Sequence, residues 1–432
     1  MYKFKSNNIR IFTLCFLVHL TLMGVSAQNL ARPVPSGSLN QIDEIVKNGI
    51  SAKAFPGCQV LVWKKAVPIY DKCFGTFTYE GTQKVTPNTI YDLASLTKTT
   101  GTLLAIMKLY DVGKLKLTDR ASDYLAFLKN TDKENITITD LLFHESGLPA
   151  SLSCFNLIMT NKSDNCVQIG NSLMCKSEWV AKNASPNYNI QIYDGFYLSN
   201  NFHIAAMQKI AHAKLKNKAY LYSCVNFILL KEIAESISGK SMDEYIDNEF
   251  FKPLKIGNIA YLPLRNYNRS NIAPTLKRDF LRDGLLQGYV QDPDAAILGG
   301  ISGNAGLFAT SRAVASVYQM LLNGGELNGV RCLSQKTCKL FTTTTSASGR
   351  RGLGFDKPVV SNPKHSPCSE LAPAEVYGHT GYTGTCCWVD PKNELIYVFL
   401  SNRTYPNDGI NKLSKMGIRT KIQTQIYKSI GY

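Results

Sequence analysis

Ser95 and Lys98 stand three residues apart where a β-favouring run (residues 85–91) gives way to an apolar-periodic one carrying Leu103, Leu104, Ile106, Met107 and Leu109. A helix opening here holds both side chains on one face, one turn apart. The pairing matters because a serine hydroxyl hardly ionises in water. A lysine held against it, partly desolvated and near other cations, can lose its proton near neutral pH and act as a general base. The positive end of the helix favours the alkoxide and oxyanion of an attack. Ser-x-x-Lys alone is a loose pattern. Ser361 and Lys364 repeat it, but Pro363 between them makes that copy a surface loop.

Two other stretches carry groups that would complete a site. Tyr222, in Tyr222-Ser223-Cys224-Val225-Asn226, stands just ahead of an apolar helical run, where a loop turns side chains into a cleft. A tyrosine beside a lysine can have its phenol acidified and shuttle protons. A capped helix start is the plainer alternative. Gly378-His379-Thr380-Gly381-Tyr382-Thr383-Gly384-Thr385 leads into a strand-like run. Its glycines let a substrate approach the backbone, and an edge strand offers N–H groups. Here the plainer alternative is a turn.

The elements that would position these residues follow from periodicity. Residues 40–50 start a helix, and residues 57–63 and 67–74 read as a hairpin turning near Lys64-Lys65-Ala66. Gly113 stops the helix after Ser95, and Thr137 or Thr139 caps the next one. Residues 150–215 are polar and irregular, with loops and short helices expected along one wall of a cleft. Helices are expected at 226–237, ended by Gly239, at 241–251, and at 311–322, stopped by Gly324 and Gly325. Strands at 386–389 and 394–400 and a closing helix at 412–430 complete the chain. Both ends therefore feed one antiparallel sheet flanked by N- and C-terminal helices, an α/β lobe, with an all-α lobe inserted. Residues 28–93 and about 300–432 form the first lobe and 94–300 the mainly helical one, together a single domain over 28–432 with a cleft between.

Residues 1–27 read as a secretory signal: Lys3, Lys5 and Arg10 precede an apolar run at 11–25, and Val25-Ser26-Ala27 offers a cleavage site. An exported protein, periplasmic or extracellular, is expected. No later apolar run reaches the about 18 residues of a membrane span, so no transmembrane anchor is expected. The net charge is +16, but no Lys/Arg run and no basic stretch interleaved with aromatics occurs, which argues against nucleic acid. Cys15 leaves with the signal, and the eleven remaining cysteines are an odd number in a compartment that permits disulfides. Cys58 and Cys73, symmetric about the hairpin turn, make the best pair, and Cys154, Cys166 and Cys175 share a region that could hold another bond. Cys386 and Cys387 are adjacent on a strand and point to opposite faces. There is no Cys-x-x-Cys, and His144, His203, His212, His365 and His379 lack metal-ligand spacing. Neither a metal nor a cofactor is expected.

Taken in order, these motifs resemble the serine β-lactamase/penicillin-binding-protein superfamily, on the branch of class C β-lactamases, D-alanyl-D-alanine carboxypeptidases and family VIII esterases. The similarity runs from about residue 42 to 430. It includes Leu141-Leu142-Phe143-His144-Glu145-Ser146-Gly147-Leu148 and Ser302-Gly303-Asn304-Ala305-Gly306-Leu307-Phe308. The chain is also similar to the serine-hydrolase module that follows a family 3 glycoside hydrolase in some bacterial envelope proteins. The resemblance implies a β-lactamase/transpeptidase-like fold and an acyl-enzyme on Ser95. Lys98 would be its base partner and Tyr222 the proton relay to the leaving group. The backbone N–H groups of Ser95 and Tyr382 would form the oxyanion hole. Cys224, His379, Thr380 and Gly381 would meet the substrate, His379 holding a carboxylate when protonated. No role falls to Glu145. Two departures from the family pattern bear on specificity: Cys224 replaces an asparagine, and His379 replaces a lysine. Both argue against an efficient β-lactamase and for an esterase or a carboxypeptidase-type enzyme on a small-molecule or peptide substrate, including peptidoglycan-derived peptides. The alternative is a non-catalytic penicillin- or wall-peptide-binding module.

Overall fold

Alternation of apolar residues along five antiparallel strands builds the central sheet. The strands are β1 (Gly57–Lys64), β2 (Val67–Gly75), β3 (Tyr377–Thr380), β4 (Cys386–Asp390) and β5 (Leu395–Ser401), in the order β3-β4-β5-β1-β2. The computed structural model describes residues 36–160, 165–170 and 173–432, so the expected leader at 1–27 lies outside the described residues. Five helices matter most: α1 (Gln41–Ser51), α2 (Leu103–Asp111), α3 (Cys224–Ser238), α4 (Ser311–Leu322) and α5 (Ile418–Ser429).

The period-2 pattern sorts the sheet into two cores. On β5, Leu395, Tyr397 and Phe399 join a cluster closed by Ile42 and Val46 of α1 and by Ile418, Ile422 and Ile426 of α5. The intervening Ile396, Val398 and Leu400 join the larger cluster, with Leu103 to Met107 of α2, Phe227 and Leu230 of α3 and Val314 and Val317 of α4. Cys386 and Cys387 divide the same way, as their adjacency implied. An antiparallel sheet packed between terminal helices and a mainly helical insertion is the α/β arrangement expected. The cleft opens where edge strand β3 meets the insertion.

Local signals were read correctly at several ends. Thr137 accepts from the Asp140 N–H in a capping box, α3 ends at Gly239 with φ +67, and α4 spans the 311–322 expected. Three expectations are corrected. Residues 150–215 hold two small antiparallel sheets besides a helix at Phe202–His212; one pairs Cys166–Ile169 with Leu173–Lys176. Their strands run two to four residues, too short for alternation to stand out. The closing helix is broken at Gly417, whose φ of +62 starts α5 afresh. The Cys58–Cys73 pair does not form. A register shift opposite Val62/Trp63 adds one residue to β2, so Cys58 faces Phe74 and Cys73 faces Gln59. One extra residue flips every later side chain to the other face. Both cysteines remain thiols, as do buried Cys154 and Cys175.

Candidate active site

Ser95 is delivered by a tight turn. The two-residue strand Tyr91–Asp92 pairs with Leu307–Ala309, and the buried Asp92 carboxylate then bridges two loops. It accepts from Ala94 N–H at 2.8 Å and Gln291 N–H at 2.7 Å. Burial raises Asp92 to about 6 against these two bonds. Ala94 takes φ +46, a left-handed conformation that side chains rarely adopt. Such strain costs about 1–3 kcal/mol and persists where the surroundings impose it. The chain winds on through a 3₁₀ turn (Ala94–Leu96) and a π turn (Lys98–Thr102) into α2. Ser95 is left half-exposed among buried neighbours.

Lys98 is fully buried, and its Nζ lies 3.0 Å from Ser95 Oγ. Its other bonds go to the Asn304 carbonyl at 3.0 Å and Cys224 Sγ at 3.6 Å. An ammonium has three donors, and all three find partners here. The Tyr222 ring centroid stands 5.1 Å from Nζ. Burial pulls Lys98 down, but negative charge on Cys224, Tyr222 and Asp292 outweighs it, and the net direction is upward. Burial likewise raises Tyr222 and Cys224. The acidified phenol expected from the sequence is therefore not the resting state. With Tyr222 and Cys224 neutral, burial acts toward the free amine against the remaining charge of Asp292.

The remaining expected residues converge on the same place. Ser95, Tyr222, His379, Thr380, Gly381 and Tyr382 all line one cleft of about 400 Å³. A larger depression of about 640 Å³, bordered by Lys231, Glu235 and Arg265, carries none of them. The turn that follows edge strand β3 is tied to the Ser95 turn by two hydroxyls: Thr383 Oγ1 donates to the Asp92 carbonyl at 2.7 Å, and Thr385 Oγ1 to the Leu93 carbonyl at 2.8 Å. The Tyr382 N–H, between them in sequence and β3, meets no backbone acceptor among the described residues. Cys224 opens α3 and its Sγ lies 3.6 Å from Lys98 Nζ. Asn226 does not reach the cleft. It is buried, accepting from Ser146 Oγ at 2.7 Å and donating to His144 Nδ1 at 3.1 Å.

The surroundings of His379 oppose its charged form. The ring is buried, Nδ1–H donates to the Thr380 carbonyl at 2.7 Å, and Nε2 has no partner. Burial first, then the charges of Arg351 and Lys98, lower it to about 3 in spite of Asp356. A neutral imidazole cannot anchor a carboxylate by charge. His379 takes up its proton near 6.5 in the unfolded chain and only near 3 in the fold. Between those values the unfolded state binds more protons, so this contribution is whole above about pH 6.5 and lost as pH falls toward 3. His379→Gln is expected to lose less Tm than the parent between pH 7 and pH 4. Parallel Tm–pH curves would contradict the assignment.

Sequence reasoning named the 302–308 turn without a role, and it supplies the Asn304 carbonyl under Lys98. A Cβ on Gly303 would lie 1.9 Å from the Phe227 carbonyl oxygen. Gly303→Ala must therefore move this turn, and a loss of about 1–3 kcal/mol is expected in denaturant unfolding, with weakened turnover from a displaced Lys98. His144, which has no metal-ligand spacing in the sequence, packs against Tyr222 at 4.7 Å between ring centroids. Thr383, Thr385 and Asn304 were not legible as site-builders, because their partners lie more than 200 residues away.

Comparison with known proteins agrees with this architecture. The β-lactamase family model matches residues 42–414. A relative from Escherichia coli O157:H7, provisionally named a D-alanyl-D-alanine carboxypeptidase, is 30% identical over 395 residues, 85% of this chain and 82% of its own. Another with that name, from Salmonella paratyphi A, is 28% identical over 91% of both chains. Among solved structures, EstCE1, a hydrolase with promiscuous acyltransferase activity, superposes with a TM-score of 0.64 at 18% identity, covering 91% of this chain and 99% of that one. A penicillin-binding protein homologue from Caulobacter crescentus gives 0.62 at 16%, covering 91% and 97%. Those two share the fold. With the family model spanning most of its length, and relatives matched nearly end to end, the chain belongs to the β-lactamase family.

Proposed function

We propose that this chain is a serine hydrolase that forms an acyl-enzyme on Ser95 and acts on an ester or amide. One observation carries the reading: Ser95 Oγ lies 3.0 Å from a fully buried lysine amine inside the cleft. Ser95 attacks the carbonyl carbon while its proton passes toward Lys98 and Tyr222. Tyr222 hands a proton to the departing group, and the Ser95 and Tyr382 N–H groups hold the oxyanion. Thr380, Gly381, His379 and Cys224 line the substrate's path, His379 as a neutral hydrogen-bonding group. The names of the bacterial relatives favour a carboxypeptidase-type reaction on a peptide ending in D-alanine. The likeness to EstCE1 keeps small esters in view. The proposal includes export behind the leader at 1–27 and a single two-lobed domain over 28–432. Among the described residues no helix is long and apolar enough to cross a membrane.

Intact-mass spectrometry after exposure to a penicillin and, separately, to a fluorophosphonate tests this, with Ser95→Ala as control. A Ser95 adduct from both supports acylation with penicillin recognition, and one from the fluorophosphonate alone supports an esterase-like pocket. Silence from both, with the fold intact, would leave the non-catalytic binding module.

A further inference from the structure

Where the family pattern has an asparagine, this chain sets a thiol beside its buried lysine. Cys224 Sγ lies 3.6 Å from Lys98 Nζ, close enough to share a proton. The described cysteines are free thiols and most are buried, but Cys73, Cys166 and Cys224 are partly exposed. An oxidant can therefore reach Cys224, whereas an asparagine there would be inert to it. The Asn304 amide also bears on the thiol. That side chain is only 1% exposed; its Oδ1 accepts from Ser302 Oγ at 2.7 Å, and its Nδ2 has no hydrogen-bond partner. A buried donor left open beside a sulfur suits an oxygen added to that sulfur. Burial raises the Cys224 thiol, and Asp292 adds to this, while the charge of Lys98 and the Asn304 amide act to lower it. The N-terminus of α3, which Cys224 opens, also favours a thiolate. The resting group is a neutral thiol, and it ionises as its proton crosses to Lys98.

We propose that Lys98 and Cys224 form a redox-sensitive pair, which a peroxide joins by a covalent sulfur–nitrogen bond that removes the lysine from the reaction. The thiolate attacks one oxygen of hydrogen peroxide. The S–O bond forms, the O–O bond breaks, and the departing hydroxide takes the proton held by Lys98 and leaves as water. Sulfur gives up an electron pair and the peroxide gains it. The amine lone pair then attacks Sγ, the S–O bond breaks, and hydroxide leaves as a second water with a proton from nitrogen. The product joins Sγ to Nζ–H and is two hydrogens lighter than the parent. A dithiol reverses it: one thiolate attacks Sγ, the amine leaves with a proton, and the second thiol closes a ring disulfide that frees the Cys224 thiol. The loss of activity rests on the reading of Lys98 as the base for Ser95, but the bond itself does not. A cysteine that only fills space at the start of α3 would oxidise without engaging Lys98.

The test treats the purified chain with hydrogen peroxide, then reads it by proteolysis with mass spectrometry and, in parallel, by nitrophenyl acetate hydrolysis. A fragment joining residue 98 to residue 224, two hydrogens lighter than its separate parts, is expected, and dithiothreitol should dissolve it. Cross-linked molecules should lose about 10²–10⁴-fold in rate, the contribution of a general base, and regain it with the reductant. Cys224→Asn, scored against its own untreated rate, should keep that rate through the same exposure. A Cys224 that stays a thiol, or one carried to sulfinic or sulfonic acid with Lys98 unlinked, would overturn the pair. So would equal peroxide losses in the parent and Cys224→Asn. The joined fragment needs no variant, so it decides even where Cys224→Asn does not fold. Equal hydrolysis by untreated parent and Ser95→Ala would remove the acyl-enzyme reading, while the fragment would still establish the cross-link.

Discussion

Ser95→Ala is expected to lower the rate of nitrophenyl acetate hydrolysis on the order of 10⁴- to 10⁶-fold, the scale seen when a serine hydrolase loses its nucleophile. The fold should hardly notice. Ser95 is half-exposed, and Lys98 keeps the Asn304 carbonyl at 3.0 Å after the hydroxyl is gone. The Ala94 turn is held by Asp92 rather than by the serine side chain. Near-parental Tm with lost turnover is therefore the signature of a reacting group. A variant keeping more than about a hundredth of the parental rate would move the nucleophile elsewhere.

Lys98→Met is the second large effect. General-base assistance contributes about 10²–10⁴-fold, and kcat is expected to fall by that factor with KM for a neutral ester little changed. Stability should go the other way. Lys98 is fully buried and has no carboxylate within ion-pair distance among the described residues; its partners are a hydroxyl, a carbonyl and a thiol. Methionine has similar volume and needs no hydration, so Tm is expected at or above the parent. Loss of rate with gain of stability separates a functional buried charge from a structural one. Full activity in Lys98→Met would end the base assignment, and a collapsed Tm would mark the lysine as part of the core.

Much of this site was legible because its central pair is local. Ser95 and Lys98 are one turn apart, so any helical winding brings them together, and the 3₁₀–π–α sequence does so at 3.0 Å. The sheet was legible for the same reason, since alternation along residues 395–400 needs only the neighbouring residue to be read. The motif around Gly378 to Thr385 was found by its composition, and the fold carried it to Ser95 through Thr383 and Thr385.

Composition could not show what burial does to charge. His379 has the right position, yet enclosure beside Arg351 and Lys98 keeps it neutral down to about pH 3. Asn226 has the right chemistry for the missing asparagine, yet α3 points it at Ser146 and His144. The hairpin cysteines have the right symmetry, yet one added residue on β2 turns them apart. None of these outcomes is encoded within a single turn or a single strand.

The sequence by itself determined the Ser95–Lys98 pair, the order of the elements and the family pattern, since each depends on residues within a few positions of one another. Only the tertiary structure decided the protonation of His379, the Asn304 carbonyl beneath Lys98 and the clamp on the Tyr382 turn. Those depend on dielectric and on contacts across as many as about 300 positions, which exist only once the two ends of the chain close on one sheet.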